Sequence, residues 1–279
     1  MANTSPKKGK SALKAKKGKL AKAGKIIHAK RKKAIPKPAK RTKASKASAS
    51  FPDYIIGYGS LIEFSSRTRT AKDALYVRPV QVMGYVRGWF AQAKTAGYSP
   101  TYVGAVLVDK LKARPRYPFL NGVAYFVTKA ELAATDERED AGYERVQVSS
   151  QAIKMLDGGG DAPEGNYWIY LNKFSPSNEL EGHLPSADFP IVQSYVDICI
   201  NGCLEIEANF PASKGFAEMF IHTTLFWSDY WVNDRPMPRR PFMERSNAYT
   251  IDGILAETIP EYFENIRIEP ASWEKGPQM

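Results

Sequence analysis

Short apolar runs separated by Gly- and Pro-rich turns dominate the chain between residues 51 and 172. They are rich in β-branched and aromatic residues, the composition typical of β-strands. The predicted strands are 54–56, 77–87, 102–108, 122–127, 143–148 and 167–171. One helix is predicted among them, from Lys129 to about Asp140. Short strands around a single helix favour an α+β fold, with the strands forming a small mixed β-barrel against which helices pack.

Beyond residue 172 the apolar residues recur mainly at helical spacing. A polar linker precedes a helix that is predicted to start after Asp188 as its N-cap and to reach Cys203. A second helix is predicted over 216–223, and a short strand over 250–255 is expected to rejoin the sheet. We therefore expect a mainly helical C-terminal extension over 173–279, either packed on the barrel or used for dimerisation.

Positive charge is concentrated at the start of the chain. Residues 1–50 hold 18 of the 40 Lys and Arg residues and no Asp or Glu, so the remainder has 22 basic against 29 acidic residues. This Lys- and Ala-rich segment has too few apolar residues for a core and is predicted to be a disordered tail. Closely spaced cations favour non-specific binding to nucleic acid, with a nuclear or nucleoid location. A solubilising extension, or one that neutralises the acidic body, explains the composition equally well.

The two cysteines, Cys199 and Cys203, lie four residues apart on a predicted helix. That spacing is poor for a disulfide, and no pair of histidines is near enough in sequence to complete a metal site. Buried, reduced thiols in a cytoplasmic protein are therefore expected. No stretch of the sequence is long and apolar enough to span a membrane, so no membrane partner is predicted.

The stretch from Tyr54 to Ile62 reads YIIGYGSLI, an apolar strand that breaks at a glycine-rich turn. Gly57 and Gly59 leave the backbone bare and permit positive φ. Successive N–H groups at positions 59–61 could then point into one concave space and hold a carboxylate. The same composition also occurs in ordinary loops between strands, so the turn alone does not define a site.

A capping box indicates where the predicted helix begins, with Thr128 as N-cap and Glu131 three residues later. Gly142 ends the helix, which places Glu139 in its last turn. The negative end of the helix dipole and the neighbouring acidic residues disfavour ionisation there, so Glu139 is a candidate general base. The positive charge of Arg138 favours ionisation of Glu139 instead, so the net effect on the pKa of Glu139 stays open. A solvated acidic helix end is the alternative interpretation.

Four short motifs, taken in order, resemble the gamma-glutamylcyclotransferase-like superfamily over roughly residues 52–172. They are GYGSLI at 57–62, GYVRGW at 84–89, NGVAY at 121–125, and DERE at 136–139 followed by Gly142 and Tyr143. The GYGSLI opening is similar to the branch that includes the ChaC-type glutathione-degrading enzymes. The resemblance implies a catalytic domain over 51–172.

The resemblance also implies the chemistry. The turn formed by Gly57, Tyr58, Gly59, Ser60, Leu61 and Ile62 would bind the α-amino acid end of a γ-glutamyl group. Glu139 would serve as catalytic acid and base in the release of 5-oxoproline, and Tyr143 would line the pocket together with Tyr58. Because the substrate's own α-amine is the nucleophile, neither a cofactor nor a metal is expected.

A second interpretation is a catalytically inactive relative that acts as a binding or scaffold protein with a nucleic-acid-associating tail. The position of the Glu139 carboxylate relative to the 57–62 turn discriminates between the two. Arg87 and Trp89 are expected to lie outside the site, because an arginine on a strand is usually a surface charge.

Overall fold

The computed structural model describes residues 51–72, 74, 76–94, 99–139, 142–174, 180–236, 238 and 247–268. The basic tail over 1–50 lies outside these residues, so its predicted disorder and its predicted partner stay predictions. Asp140, the predicted end of the first helix, also lies outside them.

Within the described residues the chain forms strands and helices in alternation. The strands are β1 (Asp53–Gly57), β2 (Arg78–Met83), β3 (Tyr85–Gln92), β4 (Thr101–Leu107), β5 (Phe119–Val127), β6 (Tyr143–Val148), β7 (Ile153–Met155), β8 (Asn166–Asn172), β9 (Ile191–Val192), β10 (Thr224–Leu225), β11 (Trp231–Asn233) and β12 (Arg267–Ile268). The helices are α1 (Phe64–Arg67), α2 (Lys129–Glu139), α3 (Gln193–Asn209), α4 (Phe216–Thr223), α5 (Ala248–Thr258) and α6 (Pro260–Phe263). None of these helices has both the length and the apolar character needed to cross a membrane.

The strands form two mixed sheets of six strands each. The first has the order β6-β8-β1-β5-β2-β7 and the second the order β10-β3-β4-β9-β11-β12. In the first sheet β1 runs antiparallel to β5 and parallel to β8. The α+β class predicted from the sequence is therefore confirmed, but the described strands form two sheets and no closed barrel was found among them.

The chain passes from one sheet to the other at Gly84. The sequence predicts one continuous strand over 77–87, whereas β2 pairs with β5 in the first sheet and β3 pairs with β4 in the second. Gly84 is the single residue between β2 and β3 and has a φ of 83°. Glycine adopts this left-handed conformation without the steric cost that a side chain would add. Because the chain turns sharply here, β3 and β4 pair with each other in a second sheet and do not extend the first one.

Helices α3, α4 and α5 share one apolar core with the first sheet. Ile55 of β1, Phe220 of α4 and Leu255 of α5 belong to this core and are fully buried. Cys199 and Cys203 of α3 lie in it as well, and both are buried, unbridged thiols. The prediction made for the cysteines is thereby confirmed.

The predicted start of α3 is wrong by four residues. The helix begins at Gln193 rather than after Asp188, because the preceding pair Ile191–Val192 forms β9 and pairs with β11. The capping group comes from a distant part of the chain. Asp234 accepts hydrogen bonds of 2.7 Å from both the main-chain N–H and the hydroxyl of Ser194.

The predicted strand over 250–255 is also wrong, since these residues lie inside helix α5. Ile251 and Leu255, four residues apart, are buried on the side that faces the core. A short apolar run fits a strand and a helix equally well, and here the spacing of the two buried residues is that of a helix.

Candidate active site

The turn after β1 adopts a 3-10 helix over Ser60–Ile62 with Gly59 as its N-cap. Contrary to the prediction, neither Gly57 nor Gly59 has a positive φ, and Gly59 has a φ of −133°. Their lack of a side chain matters for a different reason. A Cβ on Gly59 would lie 2.7 Å from Val103, and one on Gly57 would lie 2.8 Å from the Cβ of Leu61. The turn therefore needs glycine for close packing.

The carbonyl oxygens of residues 58–62 all accept hydrogen bonds. That of Gly59 accepts from the N–H of Ile62 at 3.0 Å, and that of Ser60 accepts from the N–H of Glu63 at 3.3 Å. The remaining three accept from two arginine side chains. Arg87 donates to Tyr58 over 2.9 Å, and Arg67 donates to Leu61 and Ile62 over 3.1 and 2.7 Å.

The N–H groups of residues 59–61 differ from these carbonyl oxygens in their hydrogen bonding. Within the described part of the chain, the N–H groups of Gly59, Ser60 and Leu61 have no acceptor at hydrogen-bonding distance. Gly59 and Ser60 are nevertheless buried. Buried donors without a protein acceptor are uncommon, and three in succession at the start of a helical turn form a local site for an anion. The binding of a carboxylate by residues 59–61 stays a prediction.

Helix α2 places Glu139 at its C-terminal end. The predicted capping box is present: the Glu131 N–H donates to the Thr128 hydroxyl at 3.2 Å, and the Thr128 N–H donates to the Glu131 carboxylate at 2.8 Å. The helix then runs to Glu139, whose side chain is only 18% exposed. One of its carboxylate oxygens lies 3.1 Å from Nε of Arg138. The carboxylate is thus a partly buried charge and not a solvated helix end.

The pKa values of three tyrosines indicate where the Glu139 carboxylate lies. Burial raises the pKa of Tyr58 well above its usual value, and electrostatic repulsion from Tyr143 and Glu139 acts in the same direction. The pKa values of Tyr125 and Tyr143 are likewise raised, mainly by burial, with Glu139 contributing to both shifts. The Glu139 carboxylate therefore lies close to Tyr58, which is part of the 57–62 turn.

The tyrosines differ in what their hydroxyls can still do. The hydroxyl of Tyr58 donates to the main-chain carbonyl of Tyr170 at 2.6 Å, so it has no hydrogen left to donate to a ligand. Its oxygen can still accept a hydrogen bond. The buried hydroxyl of Tyr125 has no hydrogen-bond partner among the described residues. Tyr143 opens β6 opposite Asn172 of β8, and hydrogen bonding from the Asn172 side chain partly offsets the rise in its pKa.

Of the predicted binding residues, Ile62 has a side chain that packs in an apolar core. Its side chain is 1% exposed and belongs to the core shared with α3 and α4. Its contribution is the carbonyl oxygen that Arg67 holds. The structure thus brings Glu139, Tyr58 and Tyr143 together beside the turn and assigns Ile62 to packing.

The sequence predicts that Arg87 is a surface charge and that Arg87 and Trp89 lie outside the site, and the first of these predictions is wrong. Both side chains are 0% exposed. Arg87 reaches from β3 in the second sheet to the Tyr58 carbonyl in the first. Alternation along β3 gives no signal for Arg87, because residues 85–91 are all buried and both faces of the strand are therefore covered.

The structure also contains a cavity of about 870 Å³, but neither Glu139, Tyr143 nor any residue of the 57–62 turn lines it. Its lining combines apolar side chains with charged ones, including Leu111, Phe174, Lys110, Arg114 and Glu144. Asn172 forms part of the wall, so the cavity and Tyr143 share a neighbour. Among the described residues there is no cluster of three or more His, Cys, Asp or Glu side chains that could hold a metal ion.

Comparison with known proteins gives structural likenesses only. No family model matches the sequence, and no curated protein matches it either. One similar solved structure is a gamma-glutamyl cyclotransferase, 12% identical, with a TM-score of 0.42 over 73% of this chain and 98% of the other.

Two further solved structures are similar over most of their own length. A gamma-glutamyl cyclotransferase specific to glutathione from yeast is 12% identical, with a TM-score of 0.38 over 62% of this chain and 97% of the other. An uncharacterized protein from Homo sapiens is 14% identical, with a TM-score of 0.42 over 58% and 85% of the two chains. At TM-scores below 0.5, the inference of function depends on the residues of the site itself.

Proposed function

We propose that this chain is a gamma-glutamylcyclotransferase-type enzyme that releases 5-oxoproline from a γ-glutamyl peptide, amine or glutathione. The observation that carries the proposal is the proximity of a partly buried carboxylate, Glu139, to a turn whose N–H groups at positions 59–61 have no acceptor among the described residues. A general base beside an anion site is what the cyclisation of a γ-glutamyl group needs.

The anion site would hold the α-carboxylate of the γ-glutamyl group. The N–H groups of Gly59, Ser60 and Leu61 can each donate to a carboxylate oxygen, and hydrogen bonds to a charged acceptor are stronger than those to a neutral one. The oxygen of Tyr58, which already donates to Tyr170, is available to accept from the neighbouring α-ammonium group. These contacts would fix both ends of the amino acid head.

Glu139 would then take a proton from the α-ammonium group. The freed amine attacks the γ-carbonyl carbon, a C–N bond forms and closes the five-membered ring, and the bond from that carbon to the leaving nitrogen breaks. Glu139 returns the proton to the leaving nitrogen, and the ring nitrogen gives its remaining extra proton to the departing amine, so the lactam N–H and an ammonium group form and the carboxylate is regenerated. Because both reacting groups belong to one molecule held in a folded conformation, no protein nucleophile is required.

Arg138 and the tyrosines would influence the ionisation of the Glu139 carboxylate and the strength of its electrostatic contacts. The ion pair with Arg138 favours the ionised form of Glu139, which is the form that accepts a proton. Tyr143 and Tyr125 enclose the same region, and a dry site strengthens each electrostatic contact.

The proposal is tested by measuring 5-oxoproline release from glutathione, γ-glutamyl dipeptides and γ-glutamyl-lysine. The variant Glu139→Gln is nearly isosteric and removes the base, so it should lower kcat by on the order of 10²–10⁴-fold. The matched control is Glu137→Gln, an exposed acidic residue on the same helix, which should leave turnover unchanged.

Two results would count against the proposal. Retained turnover in Glu139→Gln would assign the base to another residue. No release by the wild type from any substrate of the panel would contradict the enzyme itself and favour a binding protein in which the 59–61 turn holds a small carboxylate.

A further inference from the structure

Arg87 is a fully buried cation that lacks an acidic partner. Burial lowers its pKa to about 10, which still leaves the guanidinium protonated at neutral pH. Each acceptor to which it donates is neutral; these are the side chains of Asn121, Thr223 and Thr224 and the main-chain carbonyls of Tyr58, Asn121 and Phe220. The ring of Phe220 lies 3.7 Å from the guanidinium carbon. In the described chain no carboxylate accepts a hydrogen bond from it.

The charge of the other arginine at the turn has closer compensation. Burial lowers the pKa of Arg67, while Tyr125, Glu205 and Glu63 oppose that shift. Acidic side chains therefore surround Arg67. The largest electrostatic contributions to the pKa of Arg87 come instead from two thiols and two tyrosines, groups that are neutral at pH 7, so the largest of its electrostatic neighbours supply no countercharge.

The hydrogen bond from Arg87 to Tyr58 directs this potential towards the anion site. In a trans peptide the C=O and the N–H point in opposite directions. When the carbonyl of Tyr58 is held by Arg87, the N–H of Gly59 in the same peptide points away from the guanidinium, towards the side on which the turn has no acceptor. A cation on the carbonyl also polarises the peptide and makes its N–H a stronger donor.

We propose that Arg87 is a positioning residue that orients the Tyr58–Gly59 peptide and supplies the positive potential with which the turn holds the substrate's α-carboxylate. A buried charge without a partner destabilises the fold, and a bound carboxylate would be its counter-ion. The inference rests on the proposed function, because it assigns the α-carboxylate of a γ-glutamyl substrate as that anion.

The variant Asn121→Asp tests this by neutralising Arg87 without removing it. Oδ1 of Asn121 accepts from Nη2 of Arg87 at 2.9 Å, so a carboxylate there would keep the hydrogen bond and add a negative charge. The measurement compares the γ-glutamyl substrate that the wild type turns over fastest with its α-carboxamide analogue. The readout is the ratio of kcat/KM for the two substrates.

We expect Asn121→Asp to reduce the preference for the carboxylate by on the order of tenfold, mainly through KM. The matched control is Asn121→Leu, which loses the amide without adding charge and should keep the preference. If Asn121→Leu does not fold, Arg87→Lys beside Arg87→Met makes the same comparison, since lysine keeps the charge and should retain the preference that methionine loses.

An equal preference in wild type and Asn121→Asp, or an equal loss in Asn121→Leu, would overturn the inference. Either result leaves the proposed function standing, because the wild type still releases 5-oxoproline. Absence of release by the wild type would instead contradict the proposed function itself, so the two failures are distinguishable.

Discussion

The guanidinium of Arg87 donates a 2.9 Å hydrogen bond to the main-chain carbonyl of Tyr58. Arg87 lies on β3 of the second sheet, whereas Tyr58 follows β1 of the first. The turn that carries the candidate site is therefore held by both sheets. Any change that alters the packing of one sheet on the other should also alter the orientation of the Gly59 N–H.

The contact between Gly122 and Gly57 gives a prediction for the fold of the site. A Cβ on Gly122 would lie 2.4 Å from the main-chain carbonyl oxygen of Gly57, and β5 cannot move away without breaking its pairing with β1. We expect Gly122→Ala to lower the free energy of unfolding by about 3 kcal/mol and to reduce turnover.

Urea unfolding checks this prediction, with Gly142→Ala as the control. A Cβ on Gly142 would meet no atom within 4 Å, so its midpoint should stay close to that of the wild type. Equal midpoints for the two variants would contradict the close contact between β1 and β5.

The pair Arg78–Asp157 gives a prediction for pH dependence. Burial by itself raises the pKa of Asp157, but hydrogen bonds from Arg78 and from the N–H of Gly159, together with the charge of Arg78, outweigh it, so the pKa lies below its usual value of 3.8. Such a group stabilises the folded state above its unfolded pKa, and this contribution is lost as the pH falls through the folded value.

We therefore expect Asp157→Asn to lower the free energy of unfolding by about 1 kcal/mol at pH 7, with a difference that disappears as the pH is lowered below 3.8. Chemical denaturation at several pH values measures it, beside Asp161→Asn at an exposed position of the same loop. A difference that is constant with pH would show that the loss does not arise from ionisation of Asp157.

The basic tail over residues 1–50 gives a prediction that distinguishes its role from that of the candidate site. Deletion of residues 1–50 should leave turnover unchanged, because the residues of the candidate site all lie beyond position 57. Any binding to nucleic acid should be lost, and binding by the full chain should weaken steeply as salt rises, since it depends on release of counterions.

Fluorescence anisotropy with a labelled DNA duplex measures the binding, and a chain with the tail lysines replaced by glutamine is the control for length. Binding that survives the deletion would assign it to the remainder of the chain. A fall in turnover on deletion would contradict the placement of the site.

Several features of the site could be predicted because they depend on neighbours in the sequence. The capping box of Thr128 and Glu131 sets the start of α2, and the helix length then places Glu139 at its end. The break after β1 at Gly57 follows from the local composition of the turn. In each case the deciding contacts lie within a few residues, where propensity and spacing are reliable.

Features that depend on distant residues could not be predicted. The cap on Ser194 comes from Asp234, forty positions away, and moves the start of α3. The corner at Gly84 divides the strands between two sheets because β3 finds its partners in β4 and β10.

The sequence by itself therefore determined the helix that carries Glu139, the strand and turn at 54–62, and the α+β class. Only the tertiary structure decided that Glu139 lies beside Tyr58 and that Arg87 is buried behind the same turn. The physical reason is that a buried charge is stable only where several acceptors converge on it, and the acceptors of Arg87 come from three separate parts of the chain.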